Sequence, residues 1–273
     1  MSGKSSINSL PDELLLKIIQ YVAFEPAGYF GQKSMINQHY LIDVISKISK
    51  RFSIISTDNT MWKGEVYIRF YGNGERKIRH AIDCLGQDID NLKFFGSDLY
   101  DRNLELPNVT FSREDILALA NKAKSLRCLE IGGFRLVSWT HSSIKWSLEE
   151  LRLADIEMPW YVFQNMKMHQ CLPNLKIFNI IRCQDDSGHS ITLPDLSKCT
   201  ELLKFQIAGD DKDRAAYSFP LGFPFSERIP FPRGLKKLQF IKVVFEGMSN
   251  DDFDERVKGA IEKFAYNCSV ECI

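Results

Sequence analysis

Apolar residues make up 44 % of the chain, yet none of its uninterrupted apolar runs approaches the ~18 residues that a membrane-crossing helix needs. The opening Met1-Ser2-Gly3-Lys4-Ser5-Ser6 lacks the apolar centre of a secretory signal. The expectation is a protein of the cytoplasm, the nucleus or both. Neither sign of charge is in excess, with 35 Lys and Arg against 35 Asp and Glu, and no long basic run is present. Nucleic acid and membrane are therefore not expected as partners. The seven cysteines, Cys84, Cys128, Cys171, Cys183, Cys199, Cys268 and Cys272, contain no Cys-x-x-Cys pair and read as free thiols in a reducing compartment. Val270 stands where a prenylated cysteine would be needed. His39, His80, His141, His169 and His189 are dispersed, with no His-x-x-x-His or His-Glu pairing. There is also no Gly-rich phosphate loop, no Gly-x-Ser-x-Gly elbow and no kinase-like set. No metal site, cofactor or catalytic residue is expected, so the function has to lie in surfaces.

What is present begins with Leu10-Pro11-Asp12-Glu13-Leu14-Leu15-Leu16-Lys17-Ile18-Ile19-Gln20-Tyr21-Val22. Pro11 suits the first position of a helix, and Asp12 and Glu13 set negative charge beside its positive end. At about 100° per residue the apolar side chains sweep roughly two-thirds of the circumference, leaving Glu13, Lys17 and Gln20 on a narrow polar strip. A helix on a one-sided core needs less than that. Two buried apolar faces are expected, one against its own domain and one against another chain. A turn-rich insert over 23–40 follows, holding Pro26, Gly28 and Gly31, and is expected to be a surface loop. A second apolar helix is expected through Leu41, Val44, Ile45, Ile48 and Phe52, then a turn at Thr57-Asp58-Asn59 and Trp62-Lys63. Arg76, Lys77, Arg79 and His80 open an amphipathic helix ending near Gly86, with Ile78, Ala81, Ile82 and Leu85 on its other side.

Beyond residue 90 one short pattern recurs. Leu126-x-x-Leu129-x-Ile131, Leu148-x-x-Leu151-x-Leu153, Leu175-x-x-Phe178-x-Ile180, Leu202-x-x-Phe205-x-Ile207 and Leu235-x-x-Leu238-x-Phe240 share it, and Leu92-x-x-Phe95 is a weaker copy. The first leucines at 126, 148, 175 and 202 recur within the ~20–29-residue period of leucine-rich repeats. The steps from 92 to 126 and from 202 to 235 are longer and imply insertions. Each copy reads as a short strand whose apolar residues point inward and need stacked neighbours. Between strands, Ser112-Arg113-Glu114-Asp115 reads as a cap opening a helix, and Pro159 to Cys171 reads as another. Asn250 to Tyr266 reads as a helix closing the last repeat.

The residues between the inward positions form rows across the strands. One row is Glu130, Arg152, Asn179, Gln206 and Gln239; the row before it is Cys128, Glu150, Ile177, Lys204 and Lys237. Amides, one Arg and one Glu suit hydrogen-bonded recognition of a protein segment. The loop 210–234 carries Tyr217, Phe219, Phe223, Phe225 and Phe231 among four prolines, either as satellite packing or as anchors for a partner.

The Leu-Pro-x-Glu-Leu opening, the second helix with Ser49-Lys50-Arg51-Phe52 and the Asp58…Trp62-Lys63 turn resemble an F-box, and the repeats after it resemble leucine-rich repeats. The resemblance implies an α/β chain: a small all-helical F-box over 1–71, a curved solenoid of five to six repeats over 72–249 with parallel strands and convex-side helices, and a C-terminal cap over 250–273. It implies the substrate-recognition subunit of a Skp–cullin–F-box ubiquitin ligase, itself non-catalytic. Its partners would be the Skp-type adaptor, through it cullin, and a protein substrate. Leu10, Pro11, Leu14, Leu15, Ile18, Ile19, Val44, Ile48 and Trp62 match the motif positions expected to bind the adaptor. Substrate would meet Glu130, Arg152, Asn179, Gln206, Gln239, Phe223 and Phe225. The alternative is an interaction scaffold that binds the adaptor without ubiquitin transfer.

Overall fold

Alternation of apolar and polar residues with a period of two makes one face of a strand apolar, and the recurring pattern does so many times over. In the computed structural model these segments are strands of a single parallel sheet. The structure describes residues 7–22, 24–25, 35–36, 41, 44–58, 62, 64–70, 75–96, 110–139, 145–159, 161–162, 168–181, 183, 196, 198–209, 240–245 and 269–272.

The sheet takes its strands in chain order: β3 (Gly64–Arg69), β4 (Ile89–Phe95), β6 (Cys128–Gly132), β8 (Glu150–Ala154), β9 (Ile177–Ile181), β10 (Lys204–Gly209), β11 (Phe240–Phe245) and β12 (Ser269–Cys272). Every neighbouring pair is parallel. Two small pairs complete the strands: β1 (Phe24–Glu25) with β2 (Met35–Ile36), antiparallel, and β5 (Thr110–Phe111) with β7 (Arg135–Leu136), parallel. The chain is thus a mixed α/β protein built on a parallel sheet. One backbone bond recurs at the strand entrances: Arg127 N–H to the Asp90 carbonyl at 2.9 Å, Glu149 to Arg127 at 2.7 Å, Lys176 to Glu149 at 2.7 Å and Leu203 to Lys176 at 2.8 Å. The segments are therefore equivalent in backbone geometry as well as in sequence.

On the buried face Val66, Leu92, Leu129, Leu151, Phe178 and Phe205 form one row and Ile68, Phe94, Ile131, Leu153 and Ile180 the next. Burial of each such side chain contributes about 1.5–3 kcal/mol. Helices α3 (Glu75–Cys84) and α4 (Arg113–Lys122) bring Ile78, Ala81, Ile82, Ile116 and Leu119 into the same core. α4 is closed by a capping box, Ser112 Oγ accepting from Asp115 N–H at 3.2 Å and Asp115 Oδ2 from Ser112 N–H at 3.0 Å. Arg79 ties the two helices, donating to the Glu114 carbonyl at 3.0 Å. Phe70, Phe94, Phe111 and Phe134 make a ring cluster with centroids 5.7–5.9 Å apart. Just past the strands, Gly96 approaches the next turn so closely that a Cβ there would lie 2.0 Å from the Gly133 carbonyl oxygen.

Ahead of the sheet stand α1 (Asp12–Val22), a 3-10 turn Ile45–Lys47 and α2 (Lys50–Ser56). The segment expected to be one helix from Leu41 to Phe52 is split, because Ser49 is fully extended and caps α2, its Oγ accepting from Phe52 N–H at 3.2 Å. Arg51 joins the two helices, donating to the Leu10 carbonyl at 2.6 Å and pairing with Asp12. One further reading is corrected. Gly64–Arg69, assigned to the helical domain ending at 71, is the first strand of the sheet, because Val66 and Ile68 fall in register with Leu92 and Phe94. The insert over 23–40 contains the β1–β2 pair. Within 159–171 the described helix is only α5 (Met168–Cys171), with a turn at 161–162. The expected closing helix over 250–266 lies outside the described residues, and the sheet runs on to β12.

Candidate protein-interaction surfaces

α1 presents two apolar faces. Leu15 and Ile19, one turn apart, are buried in the common core, with Leu10 and Leu16 packed partly against it. About 110° around the axis, Leu14, Ile18 and Tyr21 form a second stripe by their 4- and 3-residue spacing, and all three are exposed, Leu14 at 46 % and Tyr21 at 84 %. Ile7, Val44, Ile48 and Ile54 are exposed as well, so seven large apolar side chains stand in solvent among the described residues up to Ile54. Beyond residue 54 the exposed large apolar side chains among the described residues are Val137 and Tyr161. Isolated exposed apolar residues are ordinary, whereas a concentration of them marks an interaction surface.

Each residue expected to meet the adaptor can now be located. Leu14, Ile18, Val44 and Ile48 face solvent, Pro11 is exposed at the start of α1, and Leu10 is half-buried. Leu15, Ile19 and Trp62 are in the chain's own core. Trp62 is fully enclosed, and its indole Nε1–H donates to the Ser56 carbonyl at 3.0 Å, closing the C-terminal end of α2. Sequence reasoning missed Tyr21 and Ile54 as candidates for this surface. The signal for Tyr21 was its place seven residues after Leu14.

The other surface is the sheet face opposite the core. Register sets Tyr67, Lys93, Glu130, Arg152, Asn179, Gln206, Lys242 and Glu271 in one row, and Glu65, Asn91, Cys128, Glu150, Ile177, Lys204, Phe240 and Ser269 in the row before it. Glu130, Arg152, Asn179 and Gln206 are thus brought together on adjacent strands as expected. The described part of β11 begins at Phe240, and Lys242 takes the place beside Gln206. Gln239, Lys237, Phe223 and Phe225 lie outside the described residues.

The first four strands carry charges that satisfy one another. Lys93 Nζ lies 2.9 Å from Glu65 Oε1, Arg152 pairs with Glu150, and Arg152 Nη1 is 4.0 Å from Glu130 Oε2. Asn91 Nδ2 donates weakly to Glu65 at 3.4 Å, while its Oδ1 is buried with no hydrogen-bond donor among the described residues. Burial raises the Glu130 carboxyl above the ordinary carboxylate value, with Arg152 and Lys93 opposing the rise. Burial, reinforced by Glu150, pushes the Cys128 thiol up to about 12, so it stays protonated and is no nucleophile. Among the described residues no group of His, Cys, Asp and Glu could hold a metal ion, and no helix is long and apolar enough to cross a membrane.

Compared with known proteins, the chain matches no family model, and no curated protein matches it.

Proposed function

We propose that the chain is the substrate-recognition subunit of a Skp–cullin–F-box ubiquitin ligase. Its helical N-terminal part is an F-box that docks on the Skp-type adaptor, and its sheet is the inner face of a curved leucine-rich-repeat solenoid that holds a protein substrate. The chain itself performs no chemistry. Holding the substrate near a charged ubiquitin-conjugating enzyme raises the effective concentration of the lysine to be modified. The proposed site of action is the cytoplasm or nucleus, where that machinery resides.

The observation that carries this reading is the double-faced α1, with Leu15 and Ile19 sealed in the core while Leu14, Ile18 and Tyr21 stand in solvent, as do Val44 and Ile48 further along the chain. A surface that apolar is stabilised by a partner chain whose own groove is apolar. The adaptor-facing set is then Leu14, Ile18, Val44 and Ile48, extended by Tyr21, with Leu15, Ile19 and Trp62 as the scaffold beneath. The test is recovery of adaptor and cullin with the tagged chain from cells, compared with Leu14→Asp. Both proteins should be recovered with the native chain and lost with the variant. Recovery of adaptor without cullin would select the scaffold reading, and recovery of neither would remove both.

A further inference from the structure

The two ends of the sheet's open face differ in what their polar groups are doing. On β3, β4, β6 and β8 the acids and bases neutralise one another, as in Glu65 with Lys93 and Glu150 with Arg152. On β9 and β10 the amides of Asn179 and Gln206 are adjacent in register, and Lys204 adjoins Ile177 one rung before them. Asn179 and Gln206 are half-buried and Lys204 is exposed. None of the three has a side-chain hydrogen bond or ion pair among the described residues. Ile177 and Ile181, both half-buried, flank Asn179 on the same face. The register then sets Lys242 beside Gln206, with Glu271 of β12 on the other side of Lys242.

We propose that this part of the face, β9 and β10, binds an extended, unphosphorylated protein segment in which carboxylates alternate with apolar residues. The inference rests on the substrate-receptor reading and names the class of substrate. An amide side chain carries both donors and an acceptor, so Asn179 and Gln206 side by side match the alternating N–H and C=O of an extended backbone. Ile177 and Ile181 offer apolar contact on either side of that line. Lys204 supplies positive charge, with no acid at its own register positions on β9 and β11, which are Ile177 and Phe240. The choice of carboxylate over phosphate follows from the cations. Phosphate is favoured by the fork of arginine, and Arg152, on the adjoining strand, is already held by Glu150 and Glu130.

The test uses the full chain in complex with the Skp-type adaptor and three fluorescent peptides in which Val alternates with Asp, with phosphoserine or with Lys. Anisotropy should show binding of the Asp peptide, weaker binding of the phosphoserine peptide and none of the Lys peptide. Lys204→Glu should weaken the Asp peptide by about tenfold, and Asn179→Ala with Gln206→Ala by several-fold, with adaptor retained in every sample. Preference for phosphoserine, indifference to Lys204→Glu, or no peptide binding while adaptor is retained would each overturn the inference and leave the adaptor reading intact. A dimer of the complex that Lys204→Glu dissolves would overturn it too, assigning the face to a second copy. Loss of adaptor with Asp-peptide binding kept would instead overturn the adaptor reading alone.

Discussion

The outer stripe of α1 and the open face of β3 to β8 are both turned to solvent, and they are opposite kinds of surface. The first is apolar, and its side chains stand exposed among the described residues. The second is charged and largely answers itself, with Lys93 between Glu65 and Glu130, and Arg152 between Glu130 and Glu150. A self-neutralised charged surface is content in water, and exposed ion pairs there contribute little to stability. An exposed apolar stripe beside a buried one gains free energy only when another chain closes over it. Exposure alone therefore does not define a binding surface; unmet physical demand does.

The comparison breaks if substitutions do not separate the two faces of α1. The largest effect is expected beneath them. Trp62→Ala should cost about 3–5 kcal/mol in chemical denaturation, by loss of an enclosed ring and its bond to the Ser56 carbonyl. Leu15→Ala and Ile19→Ala should each cost about 2–5 kcal/mol. Leu14→Ala and Ile18→Ala, only one residue earlier on the helix, should stay within about 0.5 kcal/mol of the native chain. A large loss from Leu14→Ala would mean that its stripe is covered by the protein itself.

Ser112→Ala should remove about 1 kcal/mol by opening the capping box of α4, read as a shift of the denaturation midpoint with unchanged slope. The smallest effect sharpens the charged side of the comparison. Because the folded state raises the Glu130 carboxyl, it holds that proton more tightly than the unfolded chain does. The resulting stability is present below the ordinary carboxylate value and is lost as pH rises through the raised one. Glu130→Gln should therefore flatten the decline of the melting temperature across that window. A decline as steep as in the native chain would show that Arg152 and Lys93 fully compensate the burial.

Much of the sheet could be read from the sequence because its strands alternate strictly, and the strands at 128, 150, 177 and 204 begin where the pattern set them. The first and last copies slipped for a physical reason. In Asn91-Leu92-Lys93-Phe94-Phe95 both phenylalanines are buried, so two phases fit the pattern. The fold chooses Leu92 and Phe94 for the core and sets Phe95 against Tyr67 in a tilted ring contact, 5.4 Å between centroids. In Leu235 to Phe245 two phases fit again, and the later one, with Ile241 and Val243, pairs with β10. β3 was hidden because Val66 and Ile68 follow directly on the Trp62-Lys63 turn and were grouped with the helices. α1's double face was legible from its apolar breadth, but which face turns inward depends on Phe52 and Ile55 of α2, whose burial only the packing reveals. The charge pairing across the sheet was not legible either, since it depends on which strands are neighbours.

The central claim is that the Leu14, Ile18 and Tyr21 stripe is closed by the Skp-type adaptor. Titration calorimetry of the full chain with purified adaptor at several temperatures tests it directly. Association with a negative heat-capacity change is predicted, the mark of apolar burial, and Leu14→Asp should abolish it while leaving the melting temperature of the chain unchanged. Absence of association, or association that Leu14→Asp leaves untouched, would contradict the account.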